Sequence, residues 1–244
     1  MAEHTIMQEL NGNTSRYAIY FSPGTGAPLY RLGSRWLGRD ASTGESLDPD
    51  LPGDIAREEW LRVTESPRRY GFHATLKPPF RLAENTTFGG LQAALRDFAG
   101  RHESFAAPPL GVAKLGNFLA LTLSEPSAEF ASLAADSVEE FDRFRAPATE
   151  QELAQRLGGS LPSRLREHVL RWGYPYVFDT WKFHMSLTCT LTEPSLPPLE
   201  WYLRHRFAPV YDQPLLVDSV CIFHEPSPGA AFRLVERAHL RSSL

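Results

Sequence analysis

Two short segments, FHATL at 72–76 and FHMSL at 183–187, each place a histidine and a hydroxyl two positions apart in a run that alternates apolar and polar residues. On a strand, residues i and i+2 share a face. Each segment therefore reads as a strand with one face in a core and an imidazole beside a hydroxyl on the other. In the first, Phe72, Ala74 and Leu76 point one way and His73, Thr75 and Lys77 the other. In the second, Phe183, Met185, Leu187, Cys189 and Leu191 alternate with His184, Ser186, Thr188 and Thr190. A third match, His102 and Ser104, ends a helical segment, where i and i+2 point apart and serve no common ligand.

The motif strands, expected over 71–77 and 181–191, sit in a repeated order of elements. A strand over 16–23 precedes the first, which Pro78 and Pro79 close. A helix over 86–103 capped by Thr87 follows, then two strands around Gly116. A helix over 127–146 and two short helices in 150–173 lead to the second motif strand. A helix over 196–208 and two strands, LLVDSVCIFHE and AFRLVERAHL, end the chain. Segment 24–54, rich in Gly, Pro, Ser and Asp, reads as a long ordered loop, and Asp54 as the N-cap of a helix over 54–66. Residues 1–15 read as a loose tail and 16–244 as a single domain of two α+β lobes, one motif strand per lobe, related by approximate internal duplication.

The net charge of −4 and pI near 6.1 give no global basic field for a long nucleic acid. Cys189 and Cys221 make neither a disulfide framework nor a zinc cluster, and read as reduced core thiols of a cytoplasmic protein. The first residues lack the apolar stretch of a secretory signal, and no run is long enough for a membrane span.

Cleaving a phosphodiester in line takes a base on the attacking oxygen and an acid on the leaving oxygen, on opposite sides of phosphorus. Two histidines from two lobes flank a phosphate in that way. An imidazole pKa of about 6.5 lets one be neutral and the other protonated near neutral pH. The hydroxyls of Thr75 and Ser186 donate to non-bridging oxygens, and Lys77 adds charge on the same face. No metal or other cofactor is called for. His73 and His184 lack a neighbouring His, Asp or Cys at ligand spacing, which leaves a metallohydrolase as the weakest class.

On these residues the chain resembles the two-histidine (2H) phosphoesterase superfamily, whose signature is a pair of apolar-His-x-Ser/Thr-apolar strands. RYAIYFSP, PLYRLGSRWLGRD, RRYGFHATLKPPFRL and WKFHMSLT are similar to a branch encoded in phosphonate-utilisation operons. The resemblance implies a bilobal α+β fold, two antiparallel sheets with outer helices around a central cleft. It implies catalysis by His73 and His184, phosphate contacts from Thr75 and Ser186, and a small cyclic phosphodiester as substrate, without metal. Ribose 1,2-cyclic phosphate 5-phosphate is the leading candidate. Its second phosphate needs cations, for which Arg31, Arg35 and Arg39, spaced by four, and Arg68, Arg69, Arg233 and Arg237 are candidates. Tyr20, near its strand end, is a candidate substrate contact, Trp36 an anchor, His224 a rim residue and Asp179 an orienting carboxylate. The alternatives are a 2′,3′-cyclic nucleotide or RNA-end phosphodiesterase, and a phosphate- or RNA-binding module without turnover.

Overall fold

The computed structural model describes residues 14–51, 55–192 and 195–242. β1 (Arg16–Phe21) and β2 (Ala74–Phe80) join β8 (Ser219–Glu225) and β9 (Arg233–His239) in a four-stranded antiparallel sheet of order β2-β1-β8-β9. β4 (Leu110–Leu115), β5 (Phe118–Leu123) and β6 (Met185–Ser186) form a second antiparallel sheet, and β3 (Phe105–Ala107) pairs with β7 (Leu215–Val217). The α+β, bilobal expectation holds, one motif segment per sheet. The lobes are not consecutive halves, however. The β4–β5 hairpin from the first half carries the second motif, and β8–β9 from the second half lies beside the strands of the first. This exchange gives a main core running from Tyr17 to Leu240, with a smaller cluster around Tyr20, Phe223 and Phe232 beside it.

The helices lie outside. α3 (Phe88–Arg101) packs on β8 and β9, α4 (Ala128–Glu140) on β2, and α7 (Leu196–Phe207) on β4 and β5. Local chemistry sets their starts. Thr87 Oγ1 accepts the Gly90 N–H at 3.1 Å, and Ser127 Oγ accepts the Phe130 N–H at 3.1 Å. α5 (Glu150–Leu157) opens with a reciprocal Thr149–Glu152 capping box, and α6 (Ser163–Trp172) ends at Gly173 with φ 76°.

Four expectations are corrected. Segment 24–54 contains a helix, α1 (Pro28–Leu37), with Pro28 in its first turn and a left-handed Gly38 after its end. Its Gly33 is required by contact: a Cβ there would overlap the Phe72 ring. The following helix, α2 (Arg57–Tyr70), begins after Ala56; the expected cap, Asp54, lies outside the described residues, as do residues 1–13 of the expected tail. The second motif strand shrinks from 181–191 to two residues. Thr188 Oγ1 takes the Leu119 N–H at 3.0 Å, and the Cys189 N–H bonds to Val63 O on α2 at 2.6 Å, so the chain leaves the sheet. β2, by contrast, runs on through Pro78 and Pro79. It is an edge strand, and its register with β1 shifts on both sides of Ile19, so the missing N–H groups cost no regular ladder.

Candidate active site

Antiparallel pairing sets Tyr20 of β1 opposite Thr75 of β2, and this brings the Tyr20 ring under His73. The two rings stack with centroids 3.7 Å apart and planes at 19°. His73 Nδ1 lies 2.8 Å from Gly71 O. A carbonyl only accepts, so Nδ1 carries the proton and the neutral ring presents the Nε2 lone pair. The Thr75 hydroxyl, 3.2 Å from Nε2, donates to it. Gly71 has φ 82°, and a Cβ there would lie 2.7 Å from Ala41 Cβ, so the residue that orients His73 has to be glycine. Burial pushes the His73 pKa down to about 4; the Gly71 carbonyl opposes this and the charge of His184 adds to it. His73 is therefore neutral at pH 7.

His184 repeats the first half of that arrangement. Its Nδ1 is 2.9 Å from Lys182 O, which again leaves Nε2 as the outward nitrogen. Its ring stands edge-on to Phe118 at 6.0 Å, and like His73 it is half-buried. Ser186 pairs with Ala120 on β5.

Tryptophans tie the two segments to the rest of the fold. Trp36 on α1, fully buried, donates Nε1–H to Leu187 O at 2.8 Å, and Trp60 on α2 donates to Trp36 O at 2.8 Å. Trp181, just before the second motif, donates to Thr75 O in the first at 2.9 Å. The extended 24–68 segment therefore buttresses the second motif from behind.

Between the sheets lies a cleft of about 570 Å³. His73, Thr75 and Ser186 line it together with Tyr20, Tyr70, Tyr174, Phe118, Ser66, Thr188, Cys189 and Thr190. His184 stands outside that lining, flanked by Phe118 and Ser186, which belong to it. No Arg, Lys, Asp or Glu is among the lining residues. Among the described residues no group of three or more His, Cys, Asp or Glu is placed to hold a metal ion.

Several expected residues are elsewhere. Lys77 does not face the cleft. It is 1% exposed, and its Nζ donates to Val138 O at 2.9 Å and to Asp142 Oδ1 at 3.1 Å under α4, because the β2 register shift turns it into the core. Burial lowers its pKa to about 8 against the pull of Asp142. Arg39 is also out of the cleft: its guanidinium donates to the backbone carbonyls of Phe232, Arg68 and Arg69, which splices α2 to the loop before β9. Arg31 donates to Gly26 O at 2.5 Å, and Arg237 to Ser22 O and Pro23 O at 2.7 and 3.1 Å. His224 is no rim residue; it is buried against Tyr17 with ring centroids at 4.8 Å, on the face away from Tyr20. Asp179 pairs with Arg164 at 3.0 Å and approaches His168 at 3.5 Å. Cys221 is a core thiol pushed up to about 12 by burial, whereas Cys189 lines the cleft and accepts the Ser66 N–H at 3.2 Å. Tyr70, Tyr174 and Phe118 carry no local signal that marks them as cleft residues; Thr188 and Thr190 do, since they continue the polar alternation of the second motif.

The chain is similar to two curated proteins named ribose 1,5-bisphosphate phosphokinase PhnN. It is 38% identical over 232 residues to that of Janthinobacterium sp. (strain Marseille), covering 93% of this chain and 51% of the relative. It is 37% identical over 222 residues to that of Laribacter hongkongensis (strain HLHK9), covering 90% and 50%. The chain thus spans about half the length of the curated relatives it matches. Among solved structures, E. coli LigT in apo form matches with a TM-score of 0.44 and 14% identity over 94% of this chain and 99% of that one. A family model described as "Protein of unknown function (DUF1045)" matches residues 75–233, taking in Thr75, His184 and Ser186 and starting two residues after His73; with 65% of its length so matched, the chain belongs to that family.

Proposed function

We propose that this chain is a phosphodiesterase that opens a small cyclic phosphate by two-histidine acid–base catalysis. The observation that carries the reading is the mirrored geometry of His73 and His184. Each ring is fixed through Nδ1 to the carbonyl two residues before it, so each turns Nε2 outward, with a hydroxyl two residues on. In this reading His73, stacked on Tyr20 and kept neutral by burial, is the base and His184 is the acid. His73, held neutral, takes the proton of the attacking water as its oxygen bonds to phosphorus. His184, in its protonated form, delivers a proton to the departing ester oxygen as that P–O bond breaks. One water is consumed and a phosphate monoester and an alcohol remain. No step calls for a metal ion or another cofactor.

The substrate reading is ribose 1,2-cyclic phosphate 5-phosphate, a product of carbon–phosphorus bond cleavage in phosphonate breakdown. Its support is chemical: breaking the ester at O2 leaves ribose 1,5-bisphosphate, the compound in the name of the relatives, of whose length this chain spans half. The aromatic walls at Tyr70, Tyr174 and Phe118 favour a second reading, a 2′,3′-cyclic nucleotide whose base stacks there.

The test is turnover with chelator present on both substrate types, with His73→Ala and His184→Ala alongside. Turnover of the phosphosugar that is lost in both variants supports the first reading, and preference for the nucleotide supports the second. Full activity in either variant sinks both.

A further inference from the structure

The cleft lining holds no cation, although the phosphosugar carries a second phosphate. A hollow adjoining the cleft holds four. Pro79 borders both spaces, and the hollow is walled by Arg16, Arg81, Arg145 and Arg156, with Glu152 as its one carboxylate. The four arginines come from β1, the end of β2, the turn after α4 and α5, so only the tertiary structure brings them together.

Their partners hold them as a set. Asp142 grips Arg145 through both oxygens, at 2.7 and 3.1 Å, and is itself held by the buried Lys77. Arg16 pairs with the buried Glu225 and lies 5.8 Å from the Phe232 ring, which stacks on the cleft residue Tyr70 at 4.9 Å. Arg156 Nη1 donates to Gly173 O, the residue before the cleft residue Tyr174. Arg81 donates to Pro147 O and to Glu152 Oε2, both at 3.1 Å. Five cations, Lys77 included, face three carboxylates, Glu152, Asp142 and Glu225. The planar fork of a guanidinium matches phosphate oxygens two at a time.

We propose that this hollow binds the phosphate monoester that the substrate carries away from its reacting phosphodiester. The proposal rests on the phosphodiesterase reading above and names the substrate class within it: a cyclic phosphate bearing a second, terminal phosphate. Glu152 holds the place of that phosphate. When the anion takes Arg81, Glu152 keeps its bond to the Thr149 N–H at 2.7 Å, so α5 stays capped. The hollow also gives Lys77 a purpose, since through Asp142 it aims Arg145 and never needs to reach the cleft.

The experiment compares the full chain, the double variant Arg81→Gln/Arg156→Gln and Glu152→Gln on ribose 1,2-cyclic phosphate with and without the 5-phosphate, with thermal melts to show folding. The expected result is a KM raised about 10- to 100-fold in the double variant for the doubly phosphorylated substrate, with kcat and the singly phosphorylated substrate unchanged. Glu152→Gln, which removes the competing carboxylate and keeps a capping side chain, lowers that KM and so tests the idea even if the double variant fails to fold. Calorimetry with ribose 5-phosphate reads the hollow without turnover: binding that survives His73→Ala and is lost in the double variant supports it. If the unaltered chain turns over neither cyclic phosphate, the catalytic reading fails while calorimetry still decides the subsite. Equal losses on both substrates, a KM that does not fall in Glu152→Gln, or ribose 5-phosphate binding that persists in the folded double variant overturns the proposal.

Discussion

The first motif begins a seven-residue strand with a shifted register, while the second forms a strand of only two residues. His73 lies under cover, flat on Tyr20, with its free nitrogen met by Thr75. His184 stands at an edge, beside Phe118, next to a two-residue pairing with β5 that hydrogen bonds from Trp36 and to Val63 supplement. The two sites share the Nδ1-to-carbonyl bond and differ in ring contacts, a stacked Tyr20 at the first and an edge-on Phe118 at the second. Burial disfavours the imidazolium at His73, which suits that site to the base role proposed for it. One sequence pattern yields two local environments because the strands around it differ.

The comparison breaks most directly at the histidines. His73→Ala and His184→Ala each lower kcat/KM by about 10²–10⁴, the usual worth of a single acid or base, in steady-state assays on the cyclic phosphate. A large loss in only one variant would show that the other histidine takes no part in chemistry.

The supports come next. Trp36→Phe leaves the buried Leu187 carbonyl without its donor and costs about 1–3 kcal/mol in denaturant unfolding. Trp181→Phe costs less, since its ring is only partly buried, but it frees Thr75 O at the first motif and lowers kcat more than its stability cost suggests. If Trp181→Phe leaves kcat intact, the cross-tie between motifs is packing alone.

Thr75→Val and Ser186→Ala each lower kcat/KM by about tenfold, the worth of one hydrogen bond to a charged group. Thr75→Val also leaves His73 Nε2 without its donor, so the two hydroxyls are separable by pH profile.

The smallest effect is on stability against pH. The folded-state pKa of His73, about 4, lies below the ordinary 6.5, so as pH falls the unfolded chain takes up this proton first. The stability it contributes is present above pH 6.5 and is lost as pH falls through about 4. Melts at pH 7 and pH 5 should show a smaller drop in Tm for His73→Phe than for the unaltered chain. The same pKa places the acid limb of kcat/KM near 4; a limb at the ordinary imidazole value would mean that His73 is more solvated than its stacking on Tyr20 implies.

Much of the fold was legible in the residues. Thr87 announced its helix because an N-cap is a local bond. The motif histidines stood out because alternation on a strand is also local. α1 was hidden by Gly33 and Ser34 in a Gly- and Pro-rich stretch, although Leu29, Leu32 and Trp36 keep helical spacing. Its glycine is a response to the Phe72 ring, a neighbour 39 positions along the chain.

The sequence by itself determined that each histidine and the hydroxyl two residues on share a face, since side-chain direction follows from backbone period. It did not determine which polar residues reach the cleft. Lys77 sits at the right interval from His73 and Thr75, but a register shift turns it to Asp142. Arg39 sits on the segment next to the motif and is taken up by carbonyls. The exchange of hairpins between lobes, the aromatic walls and the four-arginine hollow all depend on pairings across large sequence separations. No local period encodes these, because they are set by which surfaces bury the most apolar area while leaving no buried charge unpaired.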